Sequence, residues 1–380
     1  MRSHGLASSG LVIIGIVLAL GAISVGNRTG SYPVQKETVL DRKIHIEKEL
    51  VTEIPGAVRW CDRIALLKRR VNIGGCELYV EEEGQGGPPL VLINGGPGGT
   101  HHYFHPWFSR AKGFARVIYY DQRGCGLSDW NPGSGYSVDQ AVGDLENLRL
   151  ALGISRWVIL GYSYGGFLAQ YYTVLFPERV AGLILVSAMP GMRIEMKPSR
   201  ELDYLSKAEI ARLLAVREEV DAILRENKIA KDRALKILLF NNTLNGYWKR
   251  QDFYRPTRER AAQMALYEWE NDGNFNEVMS ESVARVDLTG EFENCPVPTL
   301  VTEGKWDLTW NTDKPGVLLG NHPGARLVMF EHSGHNVFED EPESFFKLMD
   351  SFMGHLTVPS ADQLIRYKNT LASKRKSHGN

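Results

Sequence analysis

A serine framed by glycines is the first place in this sequence where chemistry is expected. Residues 161–165 read Gly161-Tyr162-Ser163-Tyr164-Gly165, directly after the apolar run WVILGY begins and just before a helical pattern. Glycines at those positions permit a sharp strand-to-helix turn, and the helix N-terminus faces the negative charge that develops when a serine attacks a carbonyl. A serine hydroxyl is a poor nucleophile at neutral pH and needs a base held in place by an acid. In a sheet of this kind the acid and then the histidine follow, each at the end of a later strand. Asp307 follows PTLVTEG in the turn GKWD, and His335 follows RLVMFE in the turn HSGHN. Both are expected at the carboxyl edge of the sheet with Ser163, where open α/β sheets bind ligands. His332 is the rival base and is read as a loop residue because it sits closer to its strand end. Asp121 and Asp129 are rival acids, but they come too early in the chain and are read as loop braces near Arg123.

An acyl-transfer reaction also needs two backbone N–H donors for the oxyanion. Tyr164, the residue after the serine, is expected to give one. Gly96, in the turn Asn94-Gly95-Gly96-Pro97-Gly98-Gly99, is expected to give the other, since glycines let the backbone approach a carbonyl closely. That turn is not a phosphate cradle, because no GK[ST] follows it and no G-x-G-x-x-G is present. His101, His102 and His105 invite a zinc reading. No HExxH and no nearby cysteine supports it, so no metal and no cofactor is assigned and the histidines are expected to line the pocket mouth.

The elements that must position these residues alternate. ALLKRRVNI and CELYVEEE read as a leading hairpin around Gly74-Gly75. PLVLIN, RVIYYD, WVILGY, GLILVSA, PTLVTEG and RLVMFE are short apolar runs, separated by helical patterns such as 138–154 and 344–353. Strands apolar on both faces and alternating with helices imply a mostly parallel α/β sheet. Residues 190–292 break the rhythm with helical spacing alone, as in EIARLLAVREEVDAILREN and RERAAQMALYEWEN, and should form a helical cap.

Composition narrows the class. With 43% apolar residues and a formal net charge of −1 the 380-residue chain is globular and shows no basic excess for nucleic acid. Four cysteines without a CxxC exclude a zinc ribbon and a disulfide scaffold; Cys61 and Cys76 could pair if the chain is exported. Between Arg2 and Arg28 no residue carries a formal charge, and 11–25 reads LVIIGIVLALGAISV. The segment 1–30 is expected to anchor the chain in a membrane, or to be a signal peptide if cleaved. Residues 31–63 are expected as a linker, 64–189 with 293–357 as the core, and 358–380 as a basic, solvated tail.

Taken together, NGGPGG (94–99), DQRGCGLSD (121–129), GYSYGG (161–166), GKWD (304–307) and GH (334–335) resemble the proline iminopeptidase family of α/β-hydrolases, including the tricorn-interacting aminopeptidases. The likeness runs from about residue 70 to 355. It implies an α/β-hydrolase fold with an eight-stranded, mostly parallel sheet, and a helical cap between the sixth and seventh strands. Asn94 stands where the family usually has histidine, a change that leaves the backbone donor intact. The family's exopeptidases hold the substrate's free amino group with cap glutamates, a role that maps to Glu270 in YEWEN, with Glu277 as a second match. Glu270 is otherwise a solvated residue on an amphipathic helix. Leu308, just after Asp307, departs from the family.

The expected function is a serine exopeptidase that releases an N-terminal proline or small apolar residue from a small peptide. An esterase, amidase or lipase acting on an acyl substrate near the bilayer is the alternative. A catalytically dead binding fold is disfavoured by the intact Ser163, Asp307 and His335 set, and Ser163 at the elbow excludes dehalogenase or epoxide-hydrolase chemistry, which needs an aspartate there.

Overall fold

Strands apolar on both faces can be satisfied only by layers on both faces, and that is the architecture of the computed structural model, which describes residues 50–130, 135–191, 207–226, 230–244, 257–307 and 314–377. The strands are β1 (Leu67–Asn72), β2 (Glu77–Glu83), β3 (Pro89–Ile93), β4 (Arg116–Tyr120), β5 (Trp157–Tyr162), β6 (Val180–Val186), β7 (Thr299–Gly304) and β8 (Arg326–Phe330). They form one eight-stranded sheet in the order β1-β2-β4-β3-β5-β6-β7-β8. The leading hairpin turns at Gly74 and Gly75, both at positive φ, and pairs antiparallel; β3 to β8 pair in parallel. The α/β-hydrolase architecture read from the sequence is therefore present, with the helical insertion between β6 and β7.

Ten helices accompany the sheet among the described residues. α1 (Val138–Ala151) precedes β5 and α2 (Tyr164–Leu175) follows it. α3 (Lys207–Arg225), α4 (Lys231–Leu244), α5 (Arg258–Gln263) and α6 (Phe275–Val283) lie between β6 and β7, and α7 (Lys314–Asn321) joins β7 to β8. α8 (Val337–Asp340), α9 (Pro342–Gly354) and α10 (Ala361–Ser377) close the chain. Alternation along each strand separates two cores: Val91, Ile93 and Ile159 face α1 and α2, while Leu90, Leu92 and Val158 face α8 and α9. A third cluster joins Val216, Val220, Phe240 and Ala261 inside the cap.

Four expectations are corrected. The linker, from residue 50 onward, is a strap on the cap: Leu50, Val51, Ile54 and Ala57 pack into the cap cluster, and Asn241 on α4 bonds both the N–H and the carbonyl of Val51. The cap does not remain separate to residue 292, because Phe275, Met279 and Val283 of α6 join the sheet core. The helix expected over YEWEN ends as α-helix at Gln263 and widens into a π-turn over Met264–Glu268, a form that occurs mostly as a local bulge and often at functional sites. The solvated tail is instead helix α10, which buries Leu364, Tyr367 and Leu371. Cys61 and Cys76 are both buried free thiols. The anchor segment, residues 31–49 of the linker and Leu308 lie outside the described residues; no helix among the described ones is long and apolar enough to cross a membrane.

Candidate active site

The strand-to-helix turn after β5 works because its glycines leave room. Ser163 has φ 53° and ψ −122°, a backbone state that L-residues rarely adopt and that raises the free energy by about 1–3 kcal/mol. A side chain on Gly161 would run into the Gly165 carbonyl, one on Gly165 into the Ile93 carbonyl, and one on Gly166 into Ala188. Without those side chains α2 starts against the end of β3, and Ser163 is pinned by its own N–H to Val186 at 3.0 Å and by Met189 N–H donating to its carbonyl at 2.9 Å. Ser163 is buried at the carboxyl ends of the central strands.

Asp307 and His335 follow β7 and β8, so neighbouring strands deliver them side by side. His335 Nδ1 lies 2.8 Å from Asp307 Oδ2, and both side chains are buried. His332 is exposed, and its backbone N–H is tied to Glu341 at 2.9 Å. His335 Nε2 is buried without a hydrogen-bond partner among the described residues, so the bond to Ser163 that base catalysis requires is not made in this structure. Such bonds are often long before substrate binds and tighten in the complex. The imidazole packs against Tyr162 with 5.0 Å between ring centroids, and Asn336 accepts from the hydroxyls of Tyr162 and Tyr103.

Two charged partners of Asp307 escaped the sequence reading. Lys314 Nζ lies 2.5 Å from Asp307 Oδ2 and 2.5 Å from Glu303 Oε1, all three buried. Burial by itself would raise the Asp307 carboxyl, but the charges of His335 and Lys314 outweigh it and hold the group well below its ordinary value. Burial raises Glu303 well above the ordinary carboxyl range, and Lys314 only partly opposes this. Asp307 is therefore the ionised partner available to orient and stabilise the imidazole.

The glycine turn after β3 lies against the serine. A side chain on Gly95 would meet Ser163 Cβ at 3.1 Å, so Gly95, one residue before the expected donor Gly96, is the residue that abuts the nucleophile. Asn94 braces the turn by donating to the Gly99 carbonyl and, at 3.3 Å, to that of Gly95. Tyr164 begins α2, so its N–H is one of the helix's first, which have no partner within the helix. Asp121 and Asp129 brace loops, as expected: Asp121 accepts from Leu127 N–H at 2.8 Å and His101 N–H at 2.7 Å, and Asp129 from Glu77 N–H at 2.8 Å. Arg123 pairs with Asp144 instead, at 2.8 Å.

The cap is stitched directly to this turn. The π-turn frees carbonyls at its end: Tyr267 accepts from Thr100 Oγ1 at 2.6 Å and Glu268 from Thr100 N–H at 3.1 Å. Asn271 donates to the Gly98 carbonyl at 2.9 Å, and the Glu270 carbonyl accepts from Gly126 N–H at 2.6 Å. Arg260 on α5 reaches Glu268 at 2.5 Å and Glu339 on α8 at 3.0 Å, all buried. Burial pushes the Glu268 carboxyl up to about 7 against the pull of Arg260. The two glutamates read as amine-binding are placed differently. The Glu270 carboxylate, partly exposed, pairs with Arg59 of the strap at 3.2 Å and lies 3.7 Å from Lys236. Glu277 is exposed in the first turn of α6. The three histidines are buried rather than lining a mouth, with His101 Nδ1 2.9 Å from Asp121 and His102 Nε2 2.8 Å from Gln263.

Comparison with known proteins bears on the fold and the family. The α/β-hydrolase fold family matches residues 88–342. The proline iminopeptidase of Saccharolobus solfataricus is 30% identical over 277 residues, 70% of this chain and 84% of that protein. The proline iminopeptidase of Clostridioides difficile is 26% identical, over 72% of this chain and 92% of that protein. Among solved structures, a meta-cleavage product hydrolase from Pseudomonas fluorescens superposes with a TM-score of 0.57 at 21% identity, over 75% of this chain and 97% of that one, a likeness of fold.

Proposed function

The chain belongs to the α/β-hydrolase fold family and, within it, to the proline iminopeptidases, which makes it a hydrolase; from that premise we propose that it is a serine aminopeptidase releasing an N-terminal proline or small apolar residue through an acyl-enzyme on Ser163. His335 takes the Ser163 proton as Oγ attacks the scissile carbonyl, and Asp307 orients the ring and stabilises the imidazolium. The backbone N–H groups of Tyr164 and Gly96 receive the oxyanion. His335 then passes the proton to the leaving amine, and water, deprotonated by the same histidine, releases the acyl group. The observation that carries this reading is the 2.8 Å His335–Asp307 contact, beside a serine at positive φ on the same strand edge. A fluorophosphonate probe tests the nucleophile. It should label the full chain once, at Ser163 by peptide mass mapping, and Ser163→Ala should abolish labelling. Labelling elsewhere contradicts the assignment.

For substrate choice, Glu270 is the proposed partner of the substrate ammonium, with Glu277 as the second candidate. The Arg59 guanidinium and Lys236 stand in for that ammonium in this structure, so a peptide amine must displace Arg59. The same observation favours a second reading: an ester or amide without a charged amine meets no such competition, which suits an esterase or amidase. We also propose that residues 11–25 anchor the chain in a membrane. A carbonate-washed membrane fraction should retain the full chain and release a chain lacking residues 1–30; equal release of both sinks the anchor.

A further inference from the structure

The fold brings together three ligand types that lie far apart in sequence. Cys61 ends the strap, Glu81 sits on β2, and His101 opens the 3-10 turn after the glycine loop. All three are buried, and their ligand atoms lie within 4.8 Å of one another. Cys61 Sγ is 3.9 Å from His101 Nε2, and that nitrogen is 3.5 Å from Glu81 Oε1. Ligands on a tetrahedral zinc ion, at about 2.3 Å for sulfur and about 2.0–2.2 Å for nitrogen and oxygen, stand about 3.6 Å apart for a sulfur–nitrogen pair and about 3.4 Å apart for a nitrogen–oxygen pair. The separations here are within a few tenths of an ångström of those values.

The surroundings match the second requirement of such a site, a carboxylate that fixes the ligating histidine. His101 Nδ1 is 2.9 Å from Asp121 Oδ1, which aims Nε2 at the cysteine and the glutamate. The second carboxylate oxygen of Glu81 is held by His105, whose Nε2 lies 3.0 Å from Glu81 Oε2, so Oε1 is the oxygen that faces His101. Glu81 Oε1 also accepts from Tyr79 OH at 2.7 Å and has Lys68 Nζ at 3.7 Å. The absence of a cysteine near the three histidines in sequence had argued against a metal; the strap supplies one from 40 residues upstream.

We propose that Cys61, Glu81 and His101 form a three-ligand site for zinc or a zinc-like divalent ion that pins the strap to β2 and to the turn following the glycine loop. The ion displaces the Cys61 proton to solvent, because the thiolate is the ligating form. The site is separate from Ser163, His335 and Asp307, and its existence does not depend on which substrate they cleave.

The test uses the full chain, stripped with a chelator and titrated with Co²⁺ and then Zn²⁺. About one Co²⁺ per chain should give a thiolate-to-cobalt charge-transfer band in the near ultraviolet, bleached by Zn²⁺. Zn²⁺ should raise Tm of the parent by several degrees. Cys61→Ser should lose the band and the Tm response while keeping the parent's metal-free Tm. Glu81→Gln, which keeps the buried cysteine, should weaken Zn²⁺ binding at least tenfold. Absence of band and Tm shift in the folded parent overturns the site and leaves a protonated His101 between Glu81 and Asp121 as the cluster's account. A band that persists in Cys61→Ser overturns it as well, since another thiol would then be the ligand.

Discussion

The strand edge that carries Ser163, Asp307 and His335 and the cap that covers it are held in different ways. At the edge, each residue lies a few positions beyond the end of a strand, and parallel pairing of β7 with β8 delivers Asp307 beside His335. In the cap, position depends on contacts between distant segments: Val51 with Asn241, Ala57 with Tyr267, Arg59 with Glu270 and Arg260 with Glu339. The edge has one geometry that its backbone dictates. The cap is held by a strap whose contacts single substitutions can remove. On the proposed reading, bond-breaking capacity and substrate choice reside in separable parts of the molecule, and substitutions should affect one without the other.

The largest effect belongs to the edge. Ser163→Ala should lower kcat by about 10⁶-fold on any substrate, peptide or ester, with Tm within a degree or two of the parent. Residual activity within tenfold would mean that the edge does not carry the chemistry. Asp307→Asn follows, at about 10³–10⁴-fold in kcat, because the imidazole loses its orienting charge. Asp121→Asn, which touches only a loop brace, should cost far less; the reverse order would move the acid.

Lys314→Met separates stability from chemistry at the same edge. It leaves the ionised Asp307 buried without its lysine, so unfolding free energy should fall by about 3–5 kcal/mol. The sign with pH follows from the depressed Asp307: its stabilising contribution is present above the ordinary carboxyl pKa and is lost as pH falls through its lower folded value. In Lys314→Met that loss should begin at higher pH, because the Asp307 carboxyl is then held down by His335 alone. A chemical-denaturation series across pH checks both.

Cap substitutions should be milder and selective. Arg59→Ala should lower KM for free-amine substrates by up to about fivefold, since partly exposed ion pairs are worth about 0.2–1 kcal/mol, and leave ester KM unchanged. Equal change for both substrate types would place Arg59 outside substrate choice. The smallest effect concerns Glu268, raised to about 7. The folded state there holds a proton that the unfolded chain releases at lower pH, so its contribution to stability falls as pH rises from the ordinary carboxyl range to about 7 and levels off above it. Glu268→Gln should lose less stability than the parent between pH 5 and 8 in thermal melts; parallel curves would remove Glu268 from the pH dependence.

Legibility in the sequence follows the same division. β5 and its glycine-flanked serine announced themselves because a fully apolar run and two turn glycines are local signals. Asp307 and His335 were readable because each follows a strand at once. Lys314 carried no such mark: a lysine seven residues past Asp307 looks like any surface charge until α7 turns it inward. Cys61 and Arg59 looked like linker residues, since nothing local tells which distant surface a polar strap will cover. α10 was different, because its signals were present. Ser360 and Gln363 form a capping box, and Leu364, Tyr367 and Leu371 recur at helical spacing, but the surrounding lysines and arginines masked them. The π-turn over Met264–Glu268 has no sequence signature that separates it from ordinary helix.

The central claim joins the two regions: the edge cleaves, and the cap recognises a free N-terminal amine. Its most direct measurement compares kcat/KM of the parent enzyme on prolyl-anilide and N-acetyl-prolyl-anilide, with Glu270→Ala measured on both. The account predicts that acetylation lowers kcat/KM by at least tenfold in the parent, that Glu270→Ala lowers it similarly on the free substrate, and that the two losses do not add, because both remove one interaction. Equal cleavage of free and acetylated substrates by the parent would contradict the aminopeptidase reading and leave an esterase or amidase acting through the same Ser163.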